Sequence, residues 1–280
     1  MMPYIISALD FRWNSAGIRV LHKLCKMINN LGGEAYVNVP ITAPGVPTLY
    51  GQREKLRQMV VNGAICVYPE SMKENYLWSK NPVGWLLYYG EFEFEREGLL
   101  FTYDKIHRDV ETLTILDIEP FFCDDKNYKR TFNAIYAVKG WSPEIIKDMP
   151  NKIMIGSNYP KTRKKLADLL KRSKCLHLFR SSNISAEARL CGCPVLFHVN
   201  DVDGKQNTME AMKDTYASTR GMANSVEGLE QASAELPEYQ KLWHAQDEKN
   251  ESEVIKFMKI TQKWVEEKKH ATCKDCLVNY

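Results

Sequence analysis

Two short apolar segments flank a polar turn and a helix-forming segment in the second half of the chain. Residues 175–179 and 195–199 are apolar over the length of a buried β-strand. Between them, residues 181–185 include serine and asparagine side chains of the kind that commonly begin a helix. Residues 186–191 favour helix, and Gly192 is the residue type that most often ends one. The order predicts a strand, a polar turn, a short helix and a second strand, which is typical of α/β folds.

The polar turn has the features of an anion site. It follows the carboxyl end of the first predicted strand, where backbone N–H groups at a helix start can bind phosphate together with the hydroxyls of Ser181 and Ser182. Glu187 lies one turn further on, and its carboxylate would repel phosphate but can accept hydrogen bonds from sugar hydroxyls. Together these residues predict a pocket for a nucleoside diphosphate. The alternative is an ordinary crossover between two strands, with Glu187 in solvent.

Residues 187–195 read Glu-Ala-Arg-Leu-Cys-Gly-Cys-Pro-Val. This segment resembles the signature Glu-Ala-hydrophobic-x-x-Gly-x-Pro-Val in the nucleotide-sugar site of GT-B glycosyltransferases. The resemblance implies that Glu187 binds the ribose of the donor nucleotide, for which UDP is our expectation. Three residues of the preceding turn would hold the diphosphate: Ser181, Ser182 and Asn183. Many retaining members have a second glutamate eight residues earlier, where this chain has Phe179. The sequence therefore leaves the stereochemistry of transfer open.

The opening of the chain predicts another α/β domain. Residues 4–9 form a predicted strand, a polar turn runs from Asp10 to Gly17, and a helix with apolar residues every three or four positions leads to a strand at 35–39. This order resembles the start of a GT-B N-terminal domain, with its Ser-x-Gly loop and long helix. We therefore expect Gly17 to line the cleft between the domains, at the carboxyl edge of the sheet.

A carboxylate follows the next predicted strand of the same half. Residues 67–70 read Val-Tyr-Pro-Glu, and residues 81–90 read Asn-Pro-Val-Gly-Trp-Leu-Leu-Tyr-Tyr-Gly. The two segments resemble a pattern in the acceptor-side domain of bacterial and phage glycosyltransferases of polysaccharide assembly. The resemblance implies that Glu70 or Asp10 stands near the acceptor hydroxyl, where an inverting enzyme needs a general base. The alternative for Glu70 is a solvated loop residue.

Two basic features of the second half indicate anionic partners. Lys139 ends a predicted strand before Gly140, and the resemblance to GT-B enzymes implies that it meets the donor diphosphate, with Arg130 as a second candidate. Residues 161–174 form a predicted amphipathic helix in which seven residues are Lys or Arg. Its basic side is either a solvated face or a surface for membrane headgroups, a lipid-diphosphate acceptor or DNA.

Length and composition fit a two-domain protein of the cytoplasm. A chain of 280 residues accommodates two domains, and hydrophobicity drops at residues 123–127. We predict domains at 1–125 and 126–280, with helix favoured over 208–269 and a final helix that, as in GT-B proteins, crosses back to the first domain. The eight cysteines are scattered, several in apolar segments, which suits a reducing cytoplasm. No apolar segment has the length of a membrane span.

We expect no metal and no cofactor besides the donor substrate. Asp201 and Asp203 form an Asp-x-Asp pair, but they follow a predicted strand in a domain of GT-B character, so we interpret them as a turn. Cys273 and Cys276 form an isolated pair without the further ligands of a zinc site. GT-B enzymes typically need no metal, and the resemblance implies the same here.

The predicted fold is α/β, of the GT-B type, with two Rossmann-like domains facing across a cleft. The activity that the resemblance implies is hexosyl or pentosyl transfer from a nucleotide-diphosphate sugar to an acceptor hydroxyl on a glycan or a lipid-linked glycan. One alternative is a phage-type enzyme that acts on a hydroxymethylated base in DNA. Another is a non-catalytic module that binds sugar nucleotides or glycans.

Overall fold

The structure is a computed structural model of the chain. The chain folds into two compact units. The first unit comprises Met1–Asp117 and Asp247–Tyr280, and the second comprises Ile118–Gln246. The boundary between the units therefore lies after Asp117, and the C-terminal segment belongs to the first unit. The structure describes residues 1–87, 91–94, 98–103, 110–136, 146–147, 149–156, 159–179, 182–198, 200–202, 205–207 and 219–277.

The first unit is built on a parallel sheet with the strand order β2-β1-β3-β4-β5-β6. The strands are β1 Tyr4–Ile6, β2 Ala35–Val37, β3 Ile65–Pro69, β4 Asn81–Leu86, β5 Leu99–Thr102 and β6 Glu111–Thr112. The helices of this unit are α1 Ala16–Asn30, α2 Arg53–Val61 and α6 Asn250–Leu277. β1 is fully buried because its apolar side chains point alternately to two helix-covered faces, as parallel sheets require.

Helices cover both faces of this first sheet. Leu24 of α1 and Phe257 of α6 lie in one core cluster with Tyr4, whereas Met59 of α2 packs with Ile5 on the opposite face. The apolar spacing of α1 thus places one side of the helix on the sheet, as the sequence predicts. The final helix packs against α1 within the first unit.

The second unit has a parallel sheet with the order β13-β10-β9-β7-β8 and a separate two-stranded hairpin. The strands are β7 Phe132–Tyr136, β8 Lys152–Ile155, β9 Ser173–Leu178, β10 Val195–Phe197, the hairpin strands β11 Asn200–Val202 and β12 Lys205–Asn207, and β13 Met222–Ala223. The helices are α3 Arg163–Lys171, α4 Ile184–Leu190 and α5 Leu229–Asp247. The two parallel-sheet units confirm the predicted α/β fold.

One element differs from the sequence prediction. Residues 222 and 223 lie within the segment predicted as helix, yet they pair with β10 as the edge strand β13. Met222 and Ala223 are buried there, and such a short strand carries no periodicity that separates it from helix. None of the helices in the described part of the chain is long and apolar enough to cross a bilayer.

Candidate functional site

The candidate site lies at the carboxyl ends of β9 and β10 in the second unit. Phe179 follows β9, the turn contains Ser182 and Asn183, and α4 begins at Ile184. Gly192, with a φ of 70°, comes directly after the helix and leads to β10. The predicted order of strand, turn, helix and strand is therefore present. Two predicted donor-site residues, Ser181 and Lys139, lie outside the described residues.

Backbone hydrogen bonds within the turn occupy some of the N–H groups at the start of α4. The N–H of Ser185 donates to the carbonyl of Ser182 at 3.0 Å, and the N–H of Ala186 donates to the carbonyl of Asn183 at 3.0 Å. These two amides are therefore occupied by the turn and are not available to an anion. Asn183 stands at the cap position, but its amide does not cap the helix and instead donates to Oε1 of Glu187 at 3.3 Å.

Glu187 belongs to a buried ion-pair cluster. Nη1 of Arg163 lies 2.7 Å from Oε1 of Glu187, and the two side chains are only 6% and 5% exposed. Nε of Arg163 also donates to both carboxylate oxygens of Glu119, at 2.5 and 2.6 Å. The guanidinium carbon lies 4.6 Å from the centre of the Phe122 ring. Arg163 is thus held between two carboxylates and an aromatic face.

Arg163 keeps its charge despite burial. Burial alone would lower the pKa of Arg163, but the neighbouring carboxylates of Glu187 and Glu119 outweigh it, so the pKa is raised. A buried ion pair stabilises only when its hydrogen bonds are made, and Nε and Nη1 of Arg163 make theirs. The buried Nη2 has no hydrogen-bond partner among the described residues, although it lies 2.5 Å from Oε2 of Glu119. The arrangement fixes the position of the Glu187 carboxylate.

The sequence did not reveal Arg163 as a site residue. It appears there as one of seven basic residues in segment 161–174. The structure shows that Arg163 is the first residue of α3, where the helix dipole disfavours a cation, so a buried cation at this position needs an anionic partner. Its partners Glu119 and Glu187 are far away along the chain, and local patterns do not identify them.

Only some of the basic residues in segment 161–174 lie on the surface. Arg163 and Lys171 are buried, whereas five basic residues of the segment are exposed. The exposed residues are Lys161, Lys164, Lys165, Arg172 and Lys174. Two of them, Arg172 and Lys174, follow the end of α3 rather than lie on its face. The helix therefore presents a narrower cationic surface than its composition indicates.

A second set of polar side chains lies in the same sheet and extends to its carboxyl edge. Cys175 and His177 project from one face of β9, and His198 directly follows β10. Sγ of Cys175 lies 3.2 Å from Nε2 of His177, and Nδ1 of His177 lies 2.9 Å from Nε2 of His198. The His198 ring also stacks on Phe179, with ring centres 4.3 Å apart. The alternation of polar residues in an apolar strand was the sequence signal for this group.

The predicted acceptor-side residues lie at the carboxyl edge of the first unit. Oε2 of Glu70, just after β3, accepts the N–H of Leu87 at 2.9 Å, and Oδ1 of Asp10 accepts the N–H of Ile41 at 3.2 Å. Gly17 is the second residue of α1, and a β-carbon placed on it would lie 3.6 Å from Leu87. Glu70 and Gly17 therefore share Leu87 as a neighbour.

Arg130 does not lie at the candidate site, so its prediction as a diphosphate ligand is wrong. It donates to the carbonyls of Ser173 at 2.9 Å and Cys191 at 3.0 Å, and it pairs with Asp124 at 3.2 Å. Ser173 begins β9, whereas the candidate turn follows the end of β9. Arg130 and a cavity of about 470 Å³ beside it thus lie at the opposite edge of the sheet.

In the described residues, no three His, Cys, Asp or Glu side chains form a metal-ligand group.

The chain is similar to a solved structure of T4 phage BGT in complex with UDP and Mn²⁺. The two chains are 8% identical, the match covers 93% of this chain and 99% of that chain, and the TM-score is 0.50. This chain has the GT-B fold. The GT-B fold confirms the architecture that the segment 187–195 indicated.

Two other solved structures match the chain less well. A mutant of T4 phage BGT in complex with UDP-glucose is 9% identical, with 92% of this chain and 99% of that chain covered and a TM-score of 0.48. Spinosyn rhamnosyltransferase SpnG, complexed with thymidine diphosphate, is 8% identical, with 91% and 95% covered and a TM-score of 0.35. No family model matches the chain. No curated protein matches it either.

Proposed function

We propose that this protein is a glycosyltransferase that moves a sugar from a nucleotide-diphosphate sugar to an acceptor hydroxyl. The observation that carries the proposal is the carboxylate of Glu187, held by Arg163 at the carboxyl edge of a Rossmann-like sheet. Ligands of open α/β sheets bind at this edge. The GT-B fold supports the proposal, and the UDP in the T4 phage BGT structure supports UDP as the nucleotide.

Glu187 is the residue that we assign to the ribose. A carboxylate accepts hydrogen bonds from neighbouring hydroxyls, and Arg163 fixes this one before the ligand arrives. Such preorganisation reduces the conformational entropy that binding would otherwise cost. Ser182 and Asn183, with Ser181 and Lys139, are our proposed contacts of the diphosphate. The cation would stabilise the charge that develops on the departing nucleotide.

Glu70 and Asp10 are the proposed carboxylates near the acceptor. Both follow strands of the first sheet at its carboxyl edge, where a substrate hydroxyl can approach. In an inverting reaction one of them would remove the proton from that hydroxyl. We propose a glycan or lipid-linked glycan as the acceptor. We also propose a cytoplasmic location, because the cysteines whose side chains the structure describes are free thiols.

A thermal-shift titration with nucleotides tests the donor site. UDP, GDP and thymidine diphosphate are added to the wild-type protein, to Glu187→Gln and to a control, Glu230→Gln, which changes an exposed glutamate of the same unit. A nucleotide at a hundred times its Kd stabilises the native state by about 2.7 kcal/mol, which raises the melting temperature by roughly 5–10 °C.

The proposal predicts that one nucleotide stabilises the wild type and the control but not Glu187→Gln. Equal shifts for all three proteins would remove Glu187 from the donor site. No shift with any nucleotide would contradict the donor-site assignment itself.

A further inference from the structure

Two loops of the first unit are bonded to each other around Asp10. One follows β1 and contains residues 7–15, and the other follows β2 and contains residues 38–52. β1 and β2 are parallel neighbours, so both loops leave the carboxyl edge of the sheet. The N–H of Ile41 donates to Oδ1 of Asp10 at 3.2 Å, and the N–H of Phe11 donates to the carbonyl of Ile41 at 2.8 Å. Ile41 thus binds both the side chain of Asp10 and the backbone of the next residue.

The buried ring of His22 joins the same two loops. His22 belongs to α1 and has no exposed surface. Its Nδ1 accepts the N–H of Ala43 at 3.2 Å, so Nε2 carries the hydrogen and donates to the carbonyl of Leu9 at 3.1 Å. The rings of His22 and Phe11 pack in a T-shaped arrangement, with centres 5.3 Å apart. One side chain of the helix therefore contacts both loops.

The contacts of His22 require a neutral ring. A neutral imidazole has one donor and one acceptor, and here each of them has a backbone partner. Burial lowers the pKa of His22 and outweighs the opposite effects of the Leu9 carbonyl and the Asp10 charge. At neutral pH the ring therefore keeps both hydrogen bonds and holds the two loops in one arrangement.

These contacts fix the backbone on both sides of Asp10 and leave one of its carboxylate oxygens available. Leu9, which precedes it, is held by His22. Phe11, which follows it, is held by Ile41. The half-buried side chain of Asp10 uses Oδ1 for the Ile41 N–H, whereas Oδ2 has no hydrogen-bond partner among the described residues. Since a carboxylate oxygen accepts hydrogen bonds, Oδ2 can bind a substrate hydroxyl.

Glu70, the other candidate near the acceptor, is used more fully by the protein itself. Its Oε2 accepts the N–H of Leu87, the residue after β4, at 2.9 Å. Glu70 also has a further interaction within the protein. Its hydrogen bond joins the carboxyl ends of β3 and β4, which are neighbours in the sheet. These contacts favour a structural role for Glu70 over contact with the acceptor proton.

We propose that Asp10, rather than Glu70, removes the proton from the acceptor hydroxyl, and that His22 is its positioning residue. As the hydroxyl oxygen bonds to the anomeric carbon of the donor sugar, the bond from that carbon to the diphosphate breaks, and its electron pair leaves with the nucleotide. The hydroxyl proton passes to Oδ2 of Asp10. The inference rests on the proposed function, because it needs an inverting transfer to a hydroxyl.

Substitution of the two carboxylates tests the choice between them. Release of UDP from UDP-sugars is measured with a glycan, a lipid-linked glycan or hydroxymethylated duplex DNA as the acceptor. Since a general base contributes roughly 100–10,000-fold, Asp10→Asn should lower kcat by about 100-fold or more, and Glu70→Gln by about tenfold or less. Glu74→Gln, at an exposed glutamate of the loop that contains Glu70, is the control for the change from acid to amide.

A double-mutant cycle shows whether His22 acts through Asp10. His22→Phe removes both backbone hydrogen bonds of the ring, and a misplacement of about 1 Å can cost about 100-fold in rate. His22→Phe should lower kcat by roughly 10–100-fold in the wild type but by about threefold or less in Asp10→Asn, because the base is already absent there. In Glu70→Gln the loss should match that in the wild type. Equal losses in the wild type and in Asp10→Asn would overturn the positioning role.

His22→Gln gives a milder change for the same cycle. The amide nitrogen of Gln stands close to the position of Nε2 and can still donate to Leu9. The loss of kcat should therefore be smaller than for His22→Phe and should likewise disappear in Asp10→Asn. Thermal unfolding verifies that each variant is folded, and His22→Gln replaces His22→Phe in the cycle where the latter is unstable.

The outcomes separate this inference from the proposed function. UDP should bind the wild type and Asp10→Asn with Kd values within about threefold in isothermal titration calorimetry, because the donor is assigned to the second unit. If the wild type transfers sugar and Asp10→Asn is equally active, or Glu70→Gln loses as much as Asp10→Asn, the inference fails while the transferase stands. If the wild type releases no UDP with any acceptor, both fail.

Discussion

Arg163 is the residue on which the candidate site depends most. Its guanidinium contacts Glu119, Glu187 and the Phe122 ring within a buried cluster. Removing Arg163 would leave the charge of Glu187, which is only 5% exposed, buried without its cation, and that costs more than the pair itself contributes to stability. The cluster is therefore both a structural element and the support of the proposed ribose ligand.

Replacing Arg163 with Met should destabilise the protein by about 3–5 kcal/mol, because Glu119 and Glu187 then lose their common cation. Lys164→Met is the matched control, since Lys164 is the exposed neighbour on the same helix and should change stability by less than about 0.5 kcal/mol. Urea unfolding followed by circular dichroism measures both. A loss below about 1 kcal/mol for Arg163→Met would show that the cluster is not strongly coupled to folding.

His177 should make stability depend on pH. In the native protein its pKa is lowered to about 4 by burial, with a contribution from His198, whereas the unfolded chain takes up the proton near pH 6.5. The unfolded state therefore binds more protons between these values, so stability is present above pH 6.5 and falls as the pH drops towards 4. The expected loss is about 2–3 kcal/mol.

The comparison that isolates His177 is the unfolding free energy of the wild type and His177→Phe from pH 7.5 to 4. His22 and His198 have pKa values lowered in the same direction, and both remain in the variant. The variant should therefore show a smaller dependence on pH than the wild type. Identical slopes would mean that His177 is protonated in the native state at the same pH as in the unfolded chain.

At the scale of elements, α4 is fixed by the glycine that follows it. Gly192 has a φ of 70°, and a β-carbon on it would lie 2.2 Å from Oδ1 of Asp124. The left-handed backbone conformation therefore favours glycine, and a β-carbon would also displace the Asp124 side chain. Gly17 in α1 has neither restriction, since its nearest neighbour for a β-carbon is Leu87 at 3.6 Å.

The two glycines give a paired prediction. Gly192→Ala should cost about 1–2 kcal/mol, chiefly from the left-handed backbone conformation. Gly17→Ala should be neutral or stabilising by up to about 1 kcal/mol, because alanine is the better helix former. Midpoints of thermal unfolding rank the variants against the wild type. Similar destabilisation by both would contradict the assigned conformations.

The sequence predicted elements whose signals are local. The apolar spacing of α1 and the order of segments around residues 175–199 depend only on neighbouring residues, and both are present in the structure. β13 was missed because two residues show no period. Arg163 was missed because its carboxylate partners are 44 and 24 positions away, so only the folded chain brings them together.

At the scale of the whole molecule, the GT-B fold is retained at 8% sequence identity to T4 phage BGT. Parallel sheets covered by helices tolerate exchange among apolar residues as long as volume and pattern are kept. Metal use is a property of the whole reaction, and we propose that this protein needs none.

Chelation tests that proposal. Sugar transfer and UDP binding should be unchanged after treatment with EDTA. We propose that side chains of the protein, rather than a metal ion, neutralise the negative charge of the diphosphate. Since the T4 phage BGT structure contains Mn²⁺, the same assays with added Mn²⁺ form the comparison. Activity that disappears with EDTA and returns with Mn²⁺ would contradict metal independence.

The release of UDP from UDP-sugars tests the central claim most directly. Wild-type protein and Glu187→Gln are incubated with a panel of UDP-sugars, each with a glycan, a lipid-linked glycan or hydroxymethylated duplex DNA, and free UDP is quantified by chromatography. We predict acceptor-dependent release by the wild type and at least about a tenfold lower rate for the variant. Binding of UDP-sugars without release for any acceptor in the panel would contradict a transferase and favour a sugar-nucleotide-binding module.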